Sequence, residues 1–211
     1  MGQSLGLQWN TENDTFQIKM EFKDRDKTKR GFLGYIMSPY DPFGMASPAM
    51  LPCKLLQREI FPTKNQDTHN FQALGWDDPI PKQFDKQWQQ MKETVQGVQQ
   101  IKMQRSFYPK NTGIPMTQQL FAFADASDQA YCYVIYLRTQ MTQGNIYVRF
   151  ICGSSRVLPK GTGVKGEISI PRAELCAAEN LARRVLQIEK DIQIDNQLPT
   201  QYYSDSEDVL V

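Results

Sequence analysis

Phe16, Ile18, Met20 and Phe22 alternate with polar residues at a period of two, the pattern of a half-buried strand. With Thr11-Glu12-Asn13-Asp14 as the turn, Leu5 to Phe22 reads as a β-hairpin. A short helical turn is expected around Phe32 to Met37, broken by Pro39, Pro42 and Gly44. Ser47-Pro48 offers a capping hydroxyl and a proline at the first helical position, opening a helix through Leu55 and Leu56 to Ile60. Phe61 to Asp78 is polar and reads as a loop. After Pro81 the period changes: Phe84, Trp88, Met91 and Val95 recur at spacings of four, three and four along one helix face. Gln96 to Pro115 reads as a strand or connector, and the boundary between two domains is placed near Asn111 to Thr117.

Beyond that boundary, Phe121, Phe123 and Asp125 share one face of a strand, with Ala122, Ala124 and Ala126 on the other. Tyr131 to Arg138 and Ile146 to Cys152 predict two more strands, joined by a hairpin turn at Gln143-Gly144-Asn145. Ile170-Pro171 opens a helix, with Leu175, Ala178, Ala182, Val185 and Leu186 expected on its apolar stripe. Gln201 to Ser204 predicts a last short strand delivering Asp205. Three antiparallel strands, a helix and a strand make the second half a mixed α+β unit.

With 40% apolar and 22% charged residues in 211, the chain has the makeup of a globular protein rather than a disordered one. That length accommodates one ordinary domain or two small ones. The formal net charge of +1 provides no global basic field for nucleic acid. Lys23 to Arg30 is an exception, with five bases and two acids giving a local charge of +3. Lys23, Arg25, Lys27, Lys29 and Arg30 are therefore candidates for tracking a sugar-phosphate backbone, a solvated hairpin exit being the plainer reading. Trp76, Trp88 and Phe84 read as core anchors rather than base-stacking platforms.

Cys53, Cys132, Cys152 and Cys176 are widely spaced and His69 is the single histidine, so no local zinc motif can be assembled. The thiols read as reduced side chains of an intracellular protein, cytoplasmic or nuclear. Neither a leader at Met1 nor an apolar run long enough to span a membrane is legible, so no membrane partner is expected. His69 is given no role.

Asp125, Glu174 and Asp205 stand among apolar or small neighbours. Two-metal phosphodiester hydrolysis needs carboxylates that converge from different elements on ions about 4 Å apart. A mid-strand Asp125, a first-turn Glu174 and a strand-end Asp205 can meet if their elements pack side by side. Taken singly, two have plain structural explanations: a helix macrodipole favours Glu174, and Asp-Ser at 205–206 suits a turn. Asp125 is the stronger signal, because an acid inside an apolar strand is costly unless paired or coordinated.

Five strings carry a resemblance: Phe123-Ala124-Asp125-Ala126-Ser127, Tyr136-Leu137-Arg138, Ser155-Arg156-Val157, Ile170-Pro171-Arg172-Ala173-Glu174-Leu175-Cys176-Ala177-Ala178 and Ser204-Asp205-Ser206. In order and spacing they resemble the ribonuclease H domain of BEL/Pao-type LTR retrotransposons. The resemblance implies that Asp125, Glu174 and Asp205 are catalytic and hold two Mg²⁺ or Mn²⁺ ions in the intact domain. It also implies that Arg156, with Lys160 and Lys165 nearby, can contact an RNA–DNA hybrid. Leu5-Gly6-Leu7-Gln8-Trp9-Asn10, Thr28-Lys29-Arg30, Asp41-Pro42-Phe43-Gly44 and Gly75-Trp76-Asp77 with Trp88 resemble the segment from polymerase palm through thumb and connection.

These readings predict an α+β chain from a retrotransposon Pol polyprotein. A reverse transcriptase thumb/connection region is expected at 1–110 as a small β-hairpin and helices. A ribonuclease H-like mixed sheet with helices, truncated at its C-terminus, is expected at 117–211. The implied partners are an RNA–DNA hybrid or primer–template and the remainder of the Pol polyprotein. The family role is reverse transcription with hydrolysis of the RNA strand. No Tyr-x-Asp-Asp polymerase box occurs, and the fold's fourth acid is expected on a later helix, so little or no activity is expected of this chain alone. The family has also carried the label of a Pao retrotransposon peptidase, implying aspartic-protease chemistry. An aspartic dyad uses paired carboxylates in matched loops, usually Asp-Thr/Ser-Gly, whereas Asp125-Ala126-Ser127 and Asp205-Ser206-Glu207 lack the glycine. A domesticated, non-catalytic nucleic-acid-binding module is the other alternative.

Overall fold

The computed structural model describes residues 2–4, 6–61, 74–158, 168–192, 197–207 and 209. His69, Lys160 and Lys165 lie outside the described residues. The chain divides into two compact units: the described residues of Met1–Pro42 and Ala46–Lys102, and those of Phe43–Met45, Met103–Leu158 and Ile168–Val211. Its architecture is α+β, as the alternation of periods two and 3.6 predicts.

In the first unit, strands β1 (Gly2–Ser4), β2 (Leu7–Asn10) and β3 (Thr15–Ile18) pair antiparallel. Strand β4 (Lys102–Gln104) spans the boundary between the two units. The β2–β3 turn closes on Asn10, whose Oδ1 accepts from the backbone N–H groups of Glu12 and Asn13 at 3.0 and 3.3 Å. β3 stops at Ile18, so Met20 and Phe22 alternate in sequence without remaining in the ladder.

Helix α1 (Lys29–Ile36) is capped by Thr28, whose Oγ1 accepts from Gly31 N at 3.1 Å. A Cβ on Gly31 would lie 2.0 Å from the Asp26 carbonyl oxygen, so this position requires glycine. Helix α2 (Ser47–Ile60) begins one residue before the expected Pro48, and its N-cap is Ala46, without a side-chain cap. Ser47 is the first helical residue rather than the cap. Asp41 Oδ2 instead accepts from Ala46 N at 2.8 Å. Helix α3 (Asp85–Gly97) buries Trp88, Met91 and Val95. Their 3.6-residue stripe meets Phe32 and Tyr35, with Trp88 5.6 Å from the Tyr35 ring and 6.0 Å from that of Phe32.

The second unit is a four-stranded sheet ordered β7-β6-β5-β8. Strands β5 (Pro115–Ala126), β6 (Ala130–Met141) and β7 (Ile146–Val157) form an antiparallel meander. Gly144, with φ of +87°, turns β6 into β7. The chain then passes through helix α4 (Ile170–Asp191), and β8 (Gln197–Tyr203) pairs parallel with β5. α4 packs on one face of β5 and β6. Leu120, Ala122, Ala124, Ile135 and Leu137 from the sheet meet Ala177, Leu181, Val185 and Ile188 from the helix.

That packing corrects the expected stripe. Leu175 and Leu186 are about half exposed, while the buried face of α4 is Ala173, Glu174, Ala177, Leu181, Val185 and Ile188. The small alanines on the N-terminal part of that face let helix and sheet approach closely. The leucines, although more hydrophobic, fall off this face because the sheet fixes the helix's rotation.

Candidate metal centre

Asp125 is the penultimate residue of β5, just before the turn into β6. Ser127 makes that turn: its N–H donates to Ala130 O at 2.8 Å, and its Oγ accepts from Gln129 N and Ala130 N, both at 3.2 Å. The serine of the Asp-Ala-Ser string is thus a turn former, and it fixes where β5 releases Asp125.

Glu174 lies one residue past the first turn of α4, so a helix macrodipole is a weak reason for its presence. Its Oε1 accepts from Ala126 N at 3.3 Å, linking the helix to the end of β5. Its Oε2 is buried with no hydrogen-bond partner among the described residues. The residue is only 6% exposed. Burial, and then the charges of Asp125 and Asp205, push its carboxyl above the ordinary range, while the Ala126 N–H pulls the other way.

Asp205 follows β8 by two residues. β8 is held by Phe123 pairing with Tyr203, whose rings stack at 4.8 Å, and by Gln119 donating to Pro199 O at 2.8 Å. Through these elements, one carboxylate oxygen from each of Asp125, Glu174 and Asp205 lies within 4.8 Å of the others.

Three converging carboxylates, one with an orphaned buried oxygen, fit a hard divalent cation better than they fit one another. The burial argument from sequence named the wrong acid: Asp125 and Asp205 are exposed, and Glu174 is the buried one. An Asp at a strand's last positions emerges at the sheet's end, where solvent reaches it. A Glu reaching from a packed helix is enclosed by the sheet below it.

Residues 28–206 match the family described as Pao retrotransposon-like RNaseH-like domain. The chain belongs to this family. It is a fragment of a Pao-type retrotransposon Pol with an RNase H-like region, and all three acids fall inside the matched span. A comparison with curated proteins gave no match.

The basic candidates of this Pao-family chain have partners of their own. Lys23 pairs with Glu21 at 3.2 Å, and Lys27 bonds Asp85 and the Pro81 carbonyl. Arg25 lies over the Tyr35 ring at 6.0 Å. Arg30 grips Asp77 through two bonds of 2.7 and 3.0 Å. Lys29 Nζ sits over the rings of Trp76 and Phe61, at 5.1 and 5.5 Å. Arg156 is exposed on β7, its Cα partner in β6 being Tyr131.

Trp76 corrects a second expectation. Whereas Trp88 and Phe84 are buried, Trp76 is 54% exposed, with Lys29 and Arg30 against its ring. The Arg30 N–H donates to Trp76 O at 3.0 Å and Ile80 N to Lys27 O at 2.9 Å, aligning the two segments. Sequence reading also passed over Cys132, the direct ladder partner of Asp125. Only the strand register reveals that neighbour. No helix among the described residues is long and apolar enough to cross a membrane.

Proposed function

We propose that Asp125, Glu174 and Asp205 hold divalent metal ions, Mg²⁺ or Mn²⁺, and that the RNase H-like region acts on the RNA strand of RNA–DNA hybrids within the Pol polyprotein. The convergence of the three carboxylates around the orphaned Glu174 oxygen is the observation that carries this reading. Bound divalent ions supply water activation and charge stabilisation at the attacking and leaving oxygens. The chain's own contribution is placement. Ala126 N–H fixes one Glu174 oxygen and leaves the other for a cation, and the exposed Asp125 and Asp205 leave room for a phosphodiester.

The same proposal assigns 1–110 to a reverse transcriptase thumb/connection and 117–211 to the nuclease. Of the basic candidates, Lys29 beside exposed Trp76 and the exposed Arg156 are the ones proposed to meet phosphate. Lys27 and Arg30 are already held by carboxylates.

Titration of the chain with Mn²⁺ tests the reading, alongside cleavage of a labelled RNA–DNA duplex. Saturable Mn²⁺ binding that Asp125→Asn abolishes is the expected result. Absence of binding overturns the metal reading. Hybrid binding that falls with salt and is indifferent to both Mn²⁺ and Asp125→Asn identifies the non-catalytic binding module instead.

A further inference from the structure

Cys132 faces Asp125 directly across the β5–β6 ladder. Directly opposed residues share a sheet face and hold their Cβ atoms about 4.5–5.5 Å apart. Cys132 is exposed, so its thiol is open to solvent beside Asp125. A second, independent feature marks a ligand position there: Glu174 Oε2, enclosed and without a partner among the described residues.

We propose that Cys132 is a fourth protein ligand of this centre for thiophilic divalent cations such as Zn²⁺, Co²⁺ and Cd²⁺. The inference rests on the acids being a metal site. With Mg²⁺ or Mn²⁺ the donors are carboxylate oxygens, which suit hard ions; with a softer ion the sulfur joins them, giving three oxygens and one sulfur. Metal–thiolate bonds of about 2.3 Å and metal–carboxylate bonds of about 2.0–2.2 Å are compatible with ligands on opposed strand positions. Cys132 Sγ is not among the atoms that already converge, so binding includes a rotation about its Cα–Cβ bond, which its exposed position permits. The thiol proton leaves to solvent as the metal–sulfur bond forms. Held by all four protein ligands, Zn²⁺ or Cd²⁺ would leave no position open for a water or a phosphate oxygen.

Cobalt reports a sulfur ligand directly, through thiolate-to-metal charge transfer in the near ultraviolet. The test titrates the reduced chain with Co²⁺ and, separately, with Mn²⁺, in the wild type, Cys132→Ser and Asp125→Asn, with circular dichroism to establish that each variant is folded. The expected result is a charge-transfer band in the wild type that both substitutions remove. Cd²⁺ affinity is expected to fall by roughly tenfold or more in Cys132→Ser, at least the scale on which outer-shell partners act. Mn²⁺ binding without any cobalt–thiolate band overturns the Cys132 proposal and leaves the acid site standing. A band that survives Cys132→Ser belongs to another thiol and also overturns it. Failure to bind either metal removes the acid site and this inference together.

Discussion

Glu174 illustrates how burying a single carboxylate makes stability depend on pH. Its carboxyl is raised by burial and by its acidic neighbours, so its charged form is less favourable in the folded state than in the unfolded one. An acid with a raised folded pKa weakens the fold above that pKa and ceases to do so below the unfolded value. Glu174→Gln is therefore expected to raise the melting temperature at neutral pH without divalent ions and to eliminate stabilisation by Mn²⁺. A lower melting temperature in metal-free buffer would contradict this account. Asp24 shows the opposite sign. Its hydrogen bonds from Lys92 and Tyr35, reinforced by the Lys92 charge, hold its carboxyl down at about 2. The stability it contributes is present above the ordinary Asp value of about 3.9 and is lost as pH falls from there through the lowered value. Urea unfolding of Asp24→Asn is expected to be less pH-dependent across that window, with the difference from wild type shrinking in salt because the pair is exposed.

At the scale of an element, α4 and α1 show where residue type yields to packing. The exposed Leu186 and the buried Leu181 carry the same side chain on the same helix. Leu181→Ala opens a cavity against the sheet and is expected to cost about 2–5 kcal/mol. Leu186→Ala is expected to stay within about 0.5 kcal/mol. Chemical denaturation of the two variants separates them, and equal losses would mean the helix is rotated from the described face. For α1, Thr28→Ala removes the bond to Gly31 N and is expected to cost about 0.5–2 kcal/mol. The same helix explains why the basic run is less available than its charge suggests. Lys27, Arg25 and Arg30 are drawn to Asp85, Tyr35 and Asp77 around it.

For the whole molecule, the decisive contact is between strands far apart in the chain: β5 and β8 pair in parallel, with α4 in the connection. A parallel pair needs such a crossover, and the helix covers the sheet face that it creates. In this order β5 and β6 are central and β7 and β8 are edges. Amide hydrogen exchange is accordingly expected to be slowest in β5 and β6 and faster in β7 and β8. Protection in β8 matching that of β6 would imply a further strand partner.

The local pattern along the chain determined much of this protein by itself. The turn residues Gln143-Gly144-Asn145, the Phe84-Trp88-Met91-Val95 stripe and the Ile170-Pro171 opening each act over a few residues, where steric and capping preferences are strong. Asp125, Glu174 and Asp205 stood out in sequence as acids set among small and apolar neighbours, and the fold brings one carboxylate oxygen of each within 4.8 Å of the others. Tertiary structure alone decided which of them is buried, which leucines of α4 meet the sheet, that Trp76 lies open between two cations, and that Cys132 faces Asp125. Each of those depends on the rotation of a helix or the register of a strand pair. Both are set by contacts between distant segments, which local pattern does not encode.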